Sequence, residues 1–138
     1  MPAPEELAAA RKILAAAPAG GEYKERHQIY TRETVLLSED WPAKLKAPVQ
    51  ALRIGELGIA AFPGEAFVEL GLEVKAKSPF KSTLLIELAN DYCGYIPTVE
   101  AHEMGGYETW RAKSSYLEKQ AAPKFVAAAL RRLNSLRS

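Results

Sequence analysis

A chain of 138 residues, 48% hydrophobic and 25% charged, has the composition and length of one globular domain spanning 1–138. Eighteen basic against seventeen acidic residues argue against a nucleic-acid binder, and no apolar run approaches the roughly 20 residues of a membrane span. One cysteine, Cys93, excludes an internal disulfide, and two histidines, His27 and His102, exclude a site that needs three.

Met1 to Leu14 lacks the basic-then-apolar layout of a signal peptide, so none is expected and localisation stays open. Pro4-Glu5-Glu6 reads as a helix start, because proline suits the first helical position and acids suit the positive end of the dipole. Leu7, Ala10, Leu14 and Ala17 repeat at helical spacing, and Pro18 with Gly20-Gly21 stops the run, so a helix is expected from Pro4 to Ala17. A second helix is expected between Glu22 and Leu37, where Ile29, Glu33 and Leu36 share one stripe although Thr31, Thr34 and Val35 favour strand. Residues 1–40 form a helical preface, followed by a connector marked by Trp41-Pro42 and Ala47-Pro48.

The pattern changes at Val49. Val49, Leu52 and Ile54 form one short apolar run and Leu57, Ile59, Ala60 and Phe62 another, with Gly55-Glu56 between them as a tight hairpin. Phe67, Leu70, Gly71 and Val74 then fall at helical spacing, and Ser78-Pro79 closes that helix. Thr83 to Ala89 reads as a buried strand. Leu57 to Ala89 is thus a strand–helix–strand unit with parallel strands. Asn90 to Ser115 is a long loop with room for a helical turn near Val99 to Glu103. Ala122, Val126, Ala129, Leu130, Leu133 and Leu136 describe a C-terminal amphipathic helix, with Pro123 in its first turn. The expected class is α/β: two N-terminal helices, then over 48–138 a β-hairpin, a β-α-β unit, a long loop and the last helix.

Ligands of parallel sheets collect beyond the carboxyl ends of the strands. Two segments lie there, Pro63-Gly64-Glu65 and Asn90-Asp91-Tyr92-Cys93-Gly94-Tyr95. With neighbouring strands, Glu65 and the Tyr92–Tyr95 loop converge at one edge, with Gly64 allowing a sharp turn and Glu65 in the first turn of the following helix. Glu100, His102, Glu103 and Glu108 form a second polar cluster, at no recognised metal spacing. Cys93 has no identifiable activating base and reads as a structural thiol. Residues 111–138 hold seven basic residues and one acid, which reads as a solvated helix face.

Three ordered blocks carry a resemblance. They are Ile54-Gly55-Glu56-Leu57-Gly58-Ile59-Ala60-Ala61-Phe62-Pro63-Gly64-Glu65, Leu88-Ala89-Asn90-Asp91-Tyr92-Cys93-Gly94-Tyr95-Ile96-Pro97-Thr98, and Gly106-Tyr107-Glu108. Over about 52–115 the chain resembles the neutral/alkaline ceramidases, and more closely their bacterial ceramidase-like relatives. The resemblance implies a portion of a zinc-dependent amidohydrolase domain that cleaves the N-acyl bond of a lipid amide. It implies zinc as cofactor, Glu65 and Tyr95 as two of its ligands, and Tyr107 beside the scissile amide as a catalytic residue. Zinc lowers the pKa of bound water toward about 7, and a phenol can hydrogen-bond a developing oxyanion. The family's zinc-binding histidines lie upstream of the matched blocks, and neither His27 nor His102 stands in a matching motif. The chain is therefore expected to be a C-terminal portion of the domain and inactive alone. Its expected partners are an N-acyl lipid or amide substrate and either a second copy of itself or an upstream segment. The alternative is a non-catalytic interaction or oligomerisation domain.

Overall fold

The computed structural model describes residues 2–16 and 25–137. Helix α1 (Pro4–Ala15) starts at the expected proline, and its Glu6 carboxylate accepts a hydrogen bond from the Ala3 amide at 3.3 Å. The expected end at Ala17, with its Pro18 and Gly20-Gly21 stop, lies outside the described residues. Helix α2 (Arg26–Asp40) runs three residues past the expected end at Leu37; the expected start at Glu22 also lies outside the described residues. The two helices pack on one another, with Arg11 Nη2 2.9 Å from Glu39 Oε1.

Strands β1 (Gln50–Ile54) and β2 (Leu57–Ala61) form the expected hairpin. Its turn is Gly55-Glu56, with Gly55 at φ 58°, a left-handed conformation that glycine adopts without steric cost. A short β3 (Glu65–Ala66) precedes helix α3 (Val68–Lys77), which leads into β4 (Ser82–Ile86). β4 lies parallel to β2, so the three-stranded sheet runs β1-β2-β4. β5 (Tyr95–Ile96) pairs in parallel with β3 as a separate two-stranded sheet. Helix α4 (Val99–Met104) is the anticipated helical turn, capped by Thr98 Oγ1, which accepts from the Ala101 amide at 3.0 Å. A 3₁₀ turn (Tyr107–Thr109) follows, and α5 (Ala121–Ser135) ends the chain's secondary structure, with Pro123 in its first turn.

One expectation about the sheet fails. Thr83 to Ala89 reads as a buried strand, yet the strand ends at Ile86 and the described residues cover one side of it. Its end has a backbone cause: Leu88 (φ 54°) and Asn90 (φ 70°) are left-handed, so the chain turns out of the ladder there. Its one-sidedness comes from helix placement. α5 lies against β1 and β2, and α3 against β4 and α5, all on the same face. The core fills that space with Ala60, Phe62, Leu70, Val74, Phe80, Phe125, Val126, Ala129 and Leu133. Phe62 and Phe125 meet with ring centroids 5.3 Å apart. Gly58 is the thin point of the sheet: a Cβ there would sit 2.9 Å from Phe80 Cγ and 3.2 Å from Leu133 Cδ2. Fully buried side chains such as Phe62 and Leu133 each contribute on the order of 3 kcal/mol by leaving water.

Candidate functional site

The strand-end segments meet as the sequence suggests, but not by the expected local structure. Glu65 is not in the first turn of a helix; it lies in β3, three residues before α3 begins at Val68. The reason is backbone pairing. The Glu65 amide donates to the Gly94 carbonyl at 3.0 Å and the Phe67 amide to the Ile96 carbonyl at 3.3 Å, which keeps the segment extended. Cross-ties complete the junction. The Cys93 amide donates to Pro63 O at 2.6 Å, Leu88 to Gly64 O at 3.2 Å and Ala89 to Phe62 O at 2.9 Å. Gly64 has an ordinary negative-φ backbone, so space rather than a sharp turn explains it. A Cβ there would run into the Gly94 carbonyl oxygen and stand 2.9 Å from Cys93 Sγ.

In the parallel register Glu65 stands opposite Tyr95. The Tyr92 hydroxyl donates to Glu65 Oε1 at 3.1 Å. Tyr107, carried on the 3₁₀ turn, sets its ring edge-on to Tyr95, with centroids 5.7 Å apart and planes at 87°. The turn is entered through Gly105 (φ 80°) and Gly106 (φ 133°), conformations that a side chain would strain. Glu65, Tyr95 and Tyr107 are therefore brought to one place, and Tyr107 and Tyr92 are about half exposed there. Tyr92 is the group that sequence reasoning left without a role. Its segment was marked, but the contact to Glu65 depends on a two-residue parallel pairing that leaves no periodic signature.

The electrostatics favour neutral phenols. Hydrogen bonding with Tyr107, then burial, then the Glu65 carboxylate hold the Tyr95 phenol far above its ordinary value. Burial and the bond to Glu65 raise Tyr92 as well. Cys93 is 1% exposed, and burial followed by the charge of Asp91 pushes its thiol up to about 11. It packs in the core under the junction, as a structural thiol does.

The remaining polar candidates lie elsewhere. His27 is exposed on α2, in a hollow with Glu25, Arg26, Tyr30 and Trp110. His102 lines a groove of about 990 Å³ between the α2–β1 connector, the 109–119 segment and α5. Its Nε2 is buried without a partner among the described residues, and burial followed by Lys119 lowers its pKa. Glu103 pairs with Lys119 at 2.8 Å rather than with Glu100 or His102. Among the described residues no group of three His, Cys, Asp or Glu side chains could hold a metal ion. Glu65 and Tyr95 offer two oxygen donors, whereas a catalytic zinc takes three protein ligands and a water. The residues present thus do not make a complete zinc centre by themselves. Among the described residues no helix is long and apolar enough to cross a membrane. Comparisons with protein-family models, curated proteins and solved structures find no match to this chain.

Proposed function

We propose that this chain carries part of the active site of a ceramidase-like amide hydrolase and is catalytically incomplete alone. The observation that supports the reading is the register pairing of Glu65 with Tyr95, with Tyr107 set edge-on beside them. In this reading Glu65 and Tyr95 are two oxygen ligands of a zinc ion. The missing donors are imidazoles from another polypeptide segment, since His27 and His102 lie apart from the junction. A bound zinc would supply Lewis acidity. In this reading the half-exposed Tyr107 phenol would donate a hydrogen bond to an amide oxygen as charge develops on it. Tyr92 holds the Glu65 carboxylate in orientation.

The experiment is a zinc titration followed by tyrosinate difference absorption, with an N-acyl amide assay on the same sample. Weak zinc binding with a tyrosinate signal is expected, lost in Glu65→Ala and Tyr95→Phe, with no hydrolysis by the chain alone. Robust zinc-dependent fatty-acid release by the wild-type chain would refute the incompleteness. A zinc response unchanged in both variants would refute the ligand assignment.

A further inference from the structure

Strand β3 is two residues long and pairs on one side only, with the equally short β5. A two-stranded ladder of that length is marginal by itself. The amides of Glu65 and Phe67 point at β5 and donate to the Gly94 and Ile96 carbonyls. The Ala66 amide, between them, points to the opposite edge, where a wider sheet would offer another strand. Among the described residues no strand pairs with that edge. The acceptor there is the Glu87 carboxylate, with Oε2 2.8 Å from the amide nitrogen. Glu87 is the one charged residue in the run Thr83-Leu84-Leu85-Ile86-Glu87-Leu88-Ala89, and it follows directly on the end of β4 at Ile86. Its neighbours hold it in place. Leu88, at φ 54°, turns the chain and donates to the Gly64 carbonyl at 3.2 Å, while Ile86 accepts from the Phe62 amide at 2.9 Å.

We propose that Glu87 is a positioning residue of the candidate site and acts through Glu65. The peptide unit is planar, so the Glu65 Cα hangs between two planes, and the direction of its side chain follows once both planes are fixed. One plane is anchored by the Glu65 amide on the Gly94 carbonyl, the other by the Ala66 amide on Glu87. The second bond ends on a carboxylate, which makes it stronger than an ordinary rung of the ladder. Held from both sides, Glu65 presents its carboxylate to the Tyr92 hydroxyl at 3.1 Å. Glu87 thus gives β3 from one side what a third strand would give. Its bearing on zinc rests on the amide-hydrolase reading; its aiming of Glu65 at Tyr92 does not.

Two variants of the full chain separate reach from charge. Glu87→Asp keeps the charge and loses one methylene of reach, whereas Glu87→Gln keeps the reach and a carbonyl acceptor and loses the charge. Both are mild changes at an exposed position, and circular dichroism checks the fold. Nuclear magnetic resonance reads the exchange rate of the Ala66 amide and the through-space contacts between the Tyr92 ring and the Glu65 side chain. In Glu87→Asp the amide should exchange about tenfold faster, as for the loss of one net hydrogen bond, and the Tyr92–Glu65 contacts should weaken. In Glu87→Gln the rate should stay within about threefold of wild type, with the contacts kept. Unchanged exchange in Glu87→Asp overturns the proposal. So does faster exchange with the Tyr92–Glu65 contacts intact, because Glu87 then ties the strand without aiming Glu65. A Glu87→Gln protein that behaves like Glu87→Asp also overturns it, since charge rather than reach would be at work. Zinc titration followed by tyrosinate absorption adds the second readout, with affinity weakened about tenfold in Glu87→Asp and restored in Glu87→Gln. A wild-type chain that gives no zinc response refutes the ligand reading, and the Tyr92–Glu65 contacts then decide the positioning role by themselves.

Discussion

Replacing Gly64 by alanine tests how the candidate site is held together. The new Cβ would strike the Gly94 carbonyl oxygen, the acceptor for the Glu65 amide, and would crowd Cys93 Sγ and Ile96 Cγ1 at 2.9 and 3.1 Å. All three neighbours are backbone or fully buried, so relief requires moving β3 away from β5. Overpacking at such a place costs about 1 to 3 kcal/mol, and losing the Glu65–Gly94 bond adds about 1 kcal/mol. Together they predict a loss of about 2 to 4 kcal/mol, or roughly 7 to 15 °C in melting temperature for a domain of this size. Urea and thermal unfolding followed by far-UV circular dichroism measure the loss. Near-UV dichroism reports whether the Tyr92, Tyr95 and Tyr107 environment loosens with it. Gly71→Ala is the control. That Cβ meets Leu85 Cδ2 at an ordinary 3.4 Å within a helix, so the variant should gain about 0.5 to 1 kcal/mol. A Gly64→Ala protein that melts within about 2 °C of wild type would refute the steric account of this junction.

Other outcomes follow from the same geometry. The Cys93 thiol, buried and pushed up to about 11, should resist an aromatic disulfide reagent near pH 8 in the native state and react on unfolding; rapid stoichiometric labelling of folded protein would contradict its placement. The hydrogen bond from Arg111 holds the Glu6 carboxyl below its usual 4.5. Its contribution is therefore present above that value and lost as pH falls through the lower folded-state value. The pair is half exposed and screened, so the effect is about 0 to 1 kcal/mol, and Glu6→Gln should flatten that acid limb of the stability curve. An acid limb unchanged in Glu6→Gln would assign it to other carboxylates. Thr98→Ala should cost about 1 kcal/mol by removing the α4 cap, and wild-type stability in that variant would show the cap to be idle.

The fold was legible wherever a segment carries its own period or punctuation. Pro4, Gly55-Glu56 and the stripe from Ala122 to Leu136 mark their elements locally, and the parallel pairing of β2 with β4 follows from the helix between them. What stayed hidden depends on contacts distant in sequence. β5 is two residues long and exists only because β3 stands beside it, so neither has a pattern of its own. Glu65 was misplaced into a helix for the same reason. Leu84 and Ile86 read as buried because apolar runs do not say how many helices will cover a sheet; here both packing helices occupy one side. The convergence of Glu65 with the Tyr92–Tyr95 loop was legible in outline, since strand ends gather in α/β folds, whereas Tyr107 entered only through the family resemblance. The part played by Tyr92 was not, because it rests on one side-chain hydrogen bond.

The N-terminal helices do not join the sheet's core; they rest on the segment that follows Tyr107. Glu6 holds Arg111 at 2.7 Å, Glu33 accepts the Lys113 amide at 2.9 Å, and Tyr30 meets the Trp110 ring edge-on at 5.1 Å. That attachment is made of polar and ring contacts rather than core packing, so opening it should cost less than unfolding the sheet. Its release would free residues 110–113 just beyond the turn that aims Tyr107. Stability in the preface should then bear on order at the phenol. A substitution in α1 that touches nothing near Glu65 can slacken the Tyr107 ring while leaving the global melting temperature where it was.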